Sequence, residues 1–292
     1  MCGALFCVEH MKFSIVMPVL NGARFMESAI ASVLAQTHDD WELIIMDGGS
    51  DDGSADIATR HAQEERRITF FSQPDKGIYD AVLNGFAQSS GDWFSWLNSD
   101  DLYAPWCLAA VERFVRDEKS DWVTGGPGCW DGAGRLRYVR PSGLYPQRLI
   151  RAGWFHEGLL GHLQQESMFF SRALFERLGP DDIGRVRAMR YAGDFLLWRL
   201  LAEHAPLDVA PTVLGGFRRH QENRSTAMRD AYLHEVRQTQ PFTAPGPVAG
   251  VIAVAYRVLS SWAMMRAAAR ADQAVMEEVK SGAARPVSDG KP

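Results

Sequence analysis

The chain has 292 residues, 46% hydrophobic and 23% charged, enough for a sizeable core in one large or two small domains. Its formal net charge of −5 excludes a general nucleic-acid binder, because affinity for a phosphate backbone needs a basic surface. The four cysteines, Cys2, Cys7, Cys107 and Cys129, show no CxxC pair and no dense disulfide framework, so a reducing compartment is the default expectation.

Met1 to Val8 is apolar but short and lacks a basic start, so it does not read as a signal peptide. Residues 1–11 are expected to form an N-terminal extension, with Met11 as an alternative start. Phe13 to Val19 is an apolar run closed by Asn21 and Gly22, the pattern of a buried strand. Arg24 to Gln36 carries Phe25, Ile30, Val33 and Leu34 at roughly helical spacing, and Trp41 to Met46 opens a second buried strand, which completes a βαβ unit.

Asp47 to Ser54 is rich in Gly and Asp and predicts a loop whose Ser or Asp caps a helix over Ile57 to Glu65. Ile68 to Phe71 follows as a third strand, Ile78 to Gln88 as a helix, and Asp92 to Leu97 as a fourth strand stopping at Asn98. This alternation predicts a mainly parallel sheet covered on both faces. Pro105 to Asp117 reads as a helix, Gly125 to Gly134 as hairpin connections, Leu174 to Gly179 as a helix ending on glycine, and Gly193 to His204 as a helix with an apolar side. Residues 247–268 predict either an amphipathic packing helix or an interfacial membrane helix, since Arg257 is costly inside a spanning segment and tolerated at headgroup level. No internal repeat is visible, and the tail after Ala283 is expected to be disordered.

In open α/β sheets ligands bind beyond the carboxyl ends of the strands. Three of the predicted strands lead there into carboxylates: Asp47, the segment Asp75 to Asp80, and Asp100 with Asp101. Crowded carboxylates repel, so a divalent cation gripping a diphosphate is the simplest reason for acids from distant segments to meet. Taken alone, Asp100 and Asp101 read equally as a helix cap.

Ile15 to Gly22, Asp47 to Ser54, Asp75 to Ala81 and Leu97 to Asp101 resemble, in order and spacing, the inverting GT-A-type glycosyltransferases of family 2. The resemblance implies an α/β GT-A fold, with a mainly parallel central sheet flanked by helices and a helical C-terminal extension. It implies a nucleotide-sugar donor, UDP-linked by preference over GDP or dTDP, and a divalent metal, manganese or magnesium. Pro18, Val19, Asn21 and Asp47 would hold the base and ribose. Asp75, Lys76, Gly77 and Asp80 would approach the ribose and diphosphate. Asn98 and Ser99 stand where the family's acidic motif begins, with Asn98 in place of the usual carboxylate. Asp100 would bind the metal, His220 would complete its shell, and Arg218 or Arg219 would pair phosphate oxygens.

The segment from His162 to Phe170 resembles the family's strand lining the acceptor cleft. Ala192 to Trp198 resembles its acidic motif at a helix start, which makes Asp194 the first choice for general base and Glu166 its competitor. The bland alternatives are a helix N-cap for Asp194 and an arginine-paired strand carboxylate for Glu166. Trp93, Trp96, Trp154, Phe155 and Trp198 are candidates for sugar stacking, Trp154 with His156 foremost. His220 to Ser225 reads as a lid over the donor.

The expected organisation is a glycosyltransferase domain over 12–225, with a donor half at 12–104 and an acceptor half at 105–225. A helical extension over 226–283 and a tail over 284–292 follow. The expected partner beside the donor is a glycan or glycolipid acceptor in polysaccharide or glycolipid synthesis, in the cytoplasm or peripherally at the inner face of the membrane through 247–268. No nucleic acid is expected, and the oligomeric state is not readable. Two competing readings are a nucleotidyltransferase, opposed by the lack of a basic Gly-rich loop after the first strand, and a sugar-nucleotide-binding module with weak catalysis, favoured by Asn98.

Overall fold

The computed structural model describes residues 11–140, 143–220, 228–239 and, between 250 and 262, positions 250, 251, 254–256, 258–260 and 262. The expected lid from Gln221 to Ser225, the first ten residues and the tail lie outside the described residues.

Residues 12–104 open with alternating strand and helix: β1 (Phe13–Val19), α1 (Ala23–Leu34), β2 (Trp41–Asp47), α2 (Ser54–Glu64), β3 (Ile68–Ser72), α3 (Ile78–Gln88) and β4 (Trp93–Trp96). The rest of the described chain adds β5 (Leu102–Tyr103), α4 (Cys107–Glu118), β6 (Trp122–Thr124), β7 (Gly128–Asp131), β8 (Leu136–Val139), α5 (Gln147–Arg151), β9 (Met168–Ser171), α6 (Arg172–Phe175), α7 (Pro180–Arg187), α8 (Gly193–Leu201), β10 (Asp208–Val209), β11 (Gly215–Arg219) and α9 (Arg229–Gln238).

The main sheet runs β10-β6-β9-β4-β1-β2-β3. It is parallel except for β9, which lies antiparallel between β6 and β4. Every residue of β1 is buried, because helices cover both faces. Phe13, Ile15, Met17 and Val19 pack with Met26, Ile30 and Val33 of α1 and Leu108 and Val111 of α4. Val16 points to the opposite layer, with Val82 and Phe86 of α3 and Leu196, Trp198 and Leu201 of α8. Each such side chain contributes on the order of 1.5–3 kcal/mol by leaving water, and period-two alternation assigns it to its layer.

A second sheet has the order β5-β11-β7-β8; its β7–β8 hairpin falls where Gly125 to Gly134 suggested hairpin connections, and the pairing with β5 and β11 was not foreseen from the sequence. Its parallel β11–β7 pair carries Arg218 and the approach to His220 back over the carboxyl edge of the main sheet. Three local expectations also change. Gly179 does not end a helix; it opens α7 ahead of Pro180 at the first helical position, while α6 stops at Phe175. Asp100 and Asp101 cap no helix, since α4 begins after Trp106 and Asp101 leads into β5. The N-cap of α8 is Ala192, and Asp194 sits inside its first turn.

Helix α9, the first part of the expected extension, packs against the acceptor half. Val236 is buried with Ala192 and Phe195. The Glu235 carboxylate accepts the backbone N–H groups of Arg190, Tyr191 and Ala192 at 3.0, 2.8 and 2.8 Å. A carboxylate there answers the unpaired amides and positive end of the α8 dipole. This places the capping charge, and with it the orientation of α8, on a helix distant in sequence.

Candidate active site

The loops leaving β1 and β2 are latched together. Asn21, at φ 56°, donates its N–H to Ser50 Oγ at 2.8 Å and accepts from Asp51 N at 3.0 Å. Gly22 N donates to Ser54 Oγ at 3.0 Å, and Ala23 N to Asp52 at 2.9 Å. Any side chain at Gly22 would meet Ser99 Oγ at 2.4 Å, so this glycine lets the β1 loop touch the loop after β4. Asp47 is buried and accepts from Gly49 N, Ser50 N and Ser72 Oγ. Burial alone would raise its pKa, but these bonds favour the anion more strongly and hold it below the ordinary value.

Asp75 comes within reach of this loop, since a Cβ at Gly48 would lie 2.7 Å from its carboxylate. Burial raises its pKa, and the charges of Asp80 and Asp47 add to the rise. Gly77 N donates to Asp75 at 2.8 Å, and Lys76 N to Asp80 at 3.0 Å, so the segment folds into a tight loop before α3. Lys76 is exposed. Asp80 is also ion-paired to Arg187 of α7, which Asn84 Oδ1 accepts at 2.7 Å.

A second acidic group forms where β4, β9 and β11 meet. Asn98 Nδ2 donates to Asp101 at 3.0 Å and to Gln165 Oε1 at 3.2 Å, while Asn98 Oδ1 is buried without a partner among the described residues. Asp101 is fully buried and accepts Arg218 N at 2.8 Å. Burial raises its pKa well above normal, reinforced by Glu166 and Asp100. Asp100 lies nearer the surface and pairs with His220 Nε2 at 2.9 Å. The His220 ring packs on Phe25 at 4.3 Å between centroids, and the Arg218 guanidinium lies 5.0 Å from the same ring. Arg218 is buried and Arg219 exposed, so of the two Arg219 is the one open to solvent.

Glu166 stands in a single 3-10 turn before β9, buried, with Oε2 unpartnered among the described residues. Among those residues it forms no ion pair with an arginine, in place of the arginine-paired strand carboxylate expected. Burial raises its pKa, and the charges of Asp100 and Asp194 push the same way. Glu166 is therefore electrostatically common to the Asp100–His220 pair and to Asp194. Asp194 Oδ1 accepts Phe195 N at 2.7 Å and the Tyr79 hydroxyl at 3.2 Å. Burial lifts its pKa to about 6 against those bonds, with Glu235 adding to the rise. A carboxylate so poised serves general-base chemistry near neutral pH.

The Glycosyl transferase family 2 model matches residues 14–179, more than half of the chain. The chain belongs to this family. An uncharacterized glycosyltransferase of Rickettsia conorii is 27% identical over 254 residues, covering 82% of this chain and 41% of that protein. A PGL/p-HBAD biosynthesis glycosyltransferase of Mycobacterium tuberculosis is 33% identical over 172 residues, covering 58% and 62%. The chain thus spans roughly two to three fifths of the length of these curated relatives.

Among solved structures, S. aureus TarS 1-349 in complex with UDP-GlcNAc aligns with a TM-score of 0.60 at 15% identity, over 77% of this chain and 64% of that one. The mannosyltransferase PcManGT from Pyrobaculum calidifontis, in complex with GDP-Man and Mn2+, aligns at 0.59 and 18% identity, over 96% and 82%. At such identities the likeness establishes the GT-A fold. The match to the Glycosyl transferase family 2 model favours sugar transfer over the nucleotidyltransferase reading.

Within this glycosyltransferase most of the aromatic candidates for sugar stacking are core. Trp93, Trp96, Phe155 and Trp198 are buried, and Trp96 and Trp198 stack on one another at 5.2 Å. His156 is buried too, accepting Gly158 N, and Trp154 is partly buried against Leu159. No group of three His, Cys, Asp or Glu side chains converges among the described residues, so Asp47, Asp80 and Asp100 do not share one ready-made cage. Three site residues escaped the sequence reading. Tyr79 lay inside the segment Asp75 to Ala81, and Gln165 beside Glu166. Glu235, in α9, carried no local signal.

Proposed function

We propose that this chain transfers a sugar, with inversion, from a nucleoside diphosphate sugar to an acceptor hydroxyl, with Asp194 as general base. The carrying observation is that segments at the carboxyl ends of the strands are bonded to those bearing the acids: Tyr79, two residues after Gly77, donates to Asp194 at 3.2 Å, and Asn98, two residues before the Asp100 that pairs with His220, donates to Gln165 beside Glu166 at 3.2 Å. An acceptor hydroxyl is too weak an acid to ionise alone, and Asp194 would take its proton during attack. A single displacement inverts the anomeric centre. Glu166 remains the alternative base, buried deeper and with less access to an incoming hydroxyl.

The donor set suits a hard divalent cation with only two protein ligands. Asp100 Oδ2 and His220 Nε2 lie together at 2.9 Å, and Asp100 adds to the rise that burial causes in the pKa values of Asp101 and Glu166. Manganese or magnesium bound there would stabilise charge on the departing diphosphate and leave its other positions to phosphate oxygens and water. Asp47 with the Pro18 to Asn21 backbone would receive the base and ribose, and Asp75, Lys76 and Gly77 the ribose and diphosphate. Asn98 and Ser99 would line the donor floor. Arg219 is better exposed than Arg218 for a phosphate contact. UDP is the preferred carrier, with GDP the alternative that the PcManGT complex supports.

The acceptor is read as a glycan or glycolipid, met at an anionic membrane surface. No helix among the described residues is long and apolar enough to cross a bilayer. Val251, Val254, Val258, Leu259 and Trp262 are instead exposed, while Ser260 is buried and Tyr256 packs on Phe155 from the opposite side. At 100° per residue, the exposed five fall within one arc of about 140°. From Val236 to Ala271 the sequence holds no Asp or Glu and four arginines, 237, 257, 266 and 270, in a chain that is acidic overall. An apolar stripe with a basic flank suits anionic headgroups.

A thermal-shift screen of UDP- and GDP-sugars with and without manganese tests the donor side. A manganese-dependent shift that disappears in Asp100→Ala is expected. Equal shifts in parent and variant would remove Asp100 from the site.

A further inference from the structure

Asp194 takes a side-chain hydrogen bond from the hydroxyl of Tyr79. Tyr79 is in the first turn of α3, two residues after Gly77 of the proposed diphosphate loop, and is buried. It is held from both sides. Asp80 ties the same turn to Arg187 of α7, and a Cβ at Gly193 would lie 2.6 Å from the Tyr79 ring, so α8 closes on the ring with no space between. The hydroxyl has one proton and two acceptors in reach: Asp194 Oδ1 at 3.2 Å and the Tyr191 carbonyl at 3.1 Å.

We infer that Tyr79 is a positioning residue for Asp194: its hydroxyl orients the ionised carboxylate toward the acceptor and turns its proton to the Tyr191 carbonyl once Asp194 is protonated. The inference rests on the assignment of Asp194 as base. The rotatable hydroxyl can donate either to Asp194 Oδ1 or to the Tyr191 carbonyl, which the fixed Phe195 N–H on the same oxygen cannot do. Burial keeps the phenol itself protonated, since it pushes its pKa well up, with Asp194 adding to the rise. The site thereby ties the base to the turn that bears the donor loop, so both reactants meet groups carried on one rigid segment.

The other groups facing Asp194 are Glu235 and Tyr232 of α9 and Glu166 before β9. Glu235 and Glu166 are carboxylates that oppose ionisation of Asp194 by like charge, so the Tyr79 bond acts against them. Its removal leaves ionisation harder.

The test is Tyr79→Phe, which keeps the ring against Gly193 and deletes only the hydroxyl. Nucleoside diphosphate release from UDP-GlcNAc or GDP-mannose, with water as acceptor and manganese present, is followed from pH 5 to 9. The acidic limb is expected to move up by about one unit, a tenfold loss near pH 5.5, with the plateau lowered severalfold and donor KM unchanged. An unmoved limb with parental donor KM would overturn the inference, and so would a loss expressed only in donor KM. Asp194→Asn separates the two claims: if it is inactive while Tyr79→Phe keeps the parental limb, the base stands and Tyr79 falls; if it is fully active, the base assignment falls first. Should Tyr79→Phe not fold, 3-fluorotyrosine at position 79, a stronger donor of nearly the same shape, is expected to move the limb down, and an unchanged limb would refute the role.

Discussion

Asp194→Asn should lose activity and gain stability, a pairing that separates a strained functional carboxylate from a structural one. The folded-state pKa of Asp194 is lifted from 3.8 to about 6. An acid raised on folding binds more protons in the native state than in the unfolded one between those values. Stability therefore falls as pH rises through that window, and at pH 7 the full penalty is present. Two units correspond to about 3 kcal/mol at most. Asp194 is half-buried, and solvent screening reduces the expected gain on neutralisation to about 1–2 kcal/mol. Asparagine keeps an oxygen for Phe195 N and the Tyr79 hydroxyl, so the fold of α8 should hold. Urea unfolding at pH 7 and pH 4.5 measures the first half: the variant should exceed the parent at pH 7 and match it at pH 4.5. Nucleoside diphosphate release measures the second half, with a loss on the order of 10²–10⁴-fold for removing a general base. A variant that is both inactive and less stable at pH 7 would show that Asp194 holds the structure, and the argument from its raised pKa would fail.

Three other outcomes are expected. Asp100→Ala and His220→Ala should each weaken manganese-dependent stabilisation by about tenfold or more in apparent affinity, read by calorimetry in the presence of UDP, and unchanged affinity in both would exclude the pair as ligands. Glu42→Gln should destabilise by about 1–2 kcal/mol. Burial of Glu42 is outweighed by bonds from Ser14, Ser90 and Lys12, which hold its pKa at about 2, so its contribution is present above pH 4.5 and disappears as pH falls toward 2. Val254→Asp with Val258→Asp should abolish flotation with vesicles containing phosphatidylglycerol while leaving donor hydrolysis in solution intact, and flotation that persists would detach this face from the membrane.

The donor half was legible because its signals are local. β1 and β2 announce themselves as apolar runs, and the loops after them as Gly-Asp segments, since those residues are what a turn and a phosphate-facing edge require. The acceptor half was less so, because its strands are short and their burial depends on distant partners. β5 has two residues and pairs only with β11, which returns from far along the chain, while β8 has four exposed residues and pairs with β7; both are too short for periodicity to register. The same reason hid Glu235. Nothing near it in sequence reveals that its carboxylate caps α8 from another helix. Aromatic residues misled for the opposite reason: Trp96 and Trp198 suit a sugar face or a core equally well by type, and only their mutual stacking decides.

The acids at the carboxyl edge divide by how each is neutralised. Asp47 has both oxygens bonded within its own turn, and its pKa is depressed. Asp80 has Arg187 and the Lys76 amide. These two are stable as anions without help and are suited to hold loop shape and accept hydrogen bonds from a ribose. Asp101, Glu166 and Asp194 are the reverse case, with pKa values raised mainly by burial. Charge left uncompensated in a buried site is costly, and a carboxylate that keeps it is a candidate for proton transfer or cation binding, which the proposed function assigns to this edge. Asn98 fits that division. Its amide donates to Asp101 and Gln165, which a carboxylate in its place could not do, and a fourth acid there would add repulsion to a cluster already short of positive charge. The amide therefore moderates the charge of the site, and under the proposed function Asp100 with His220 would be the pair to take a cation.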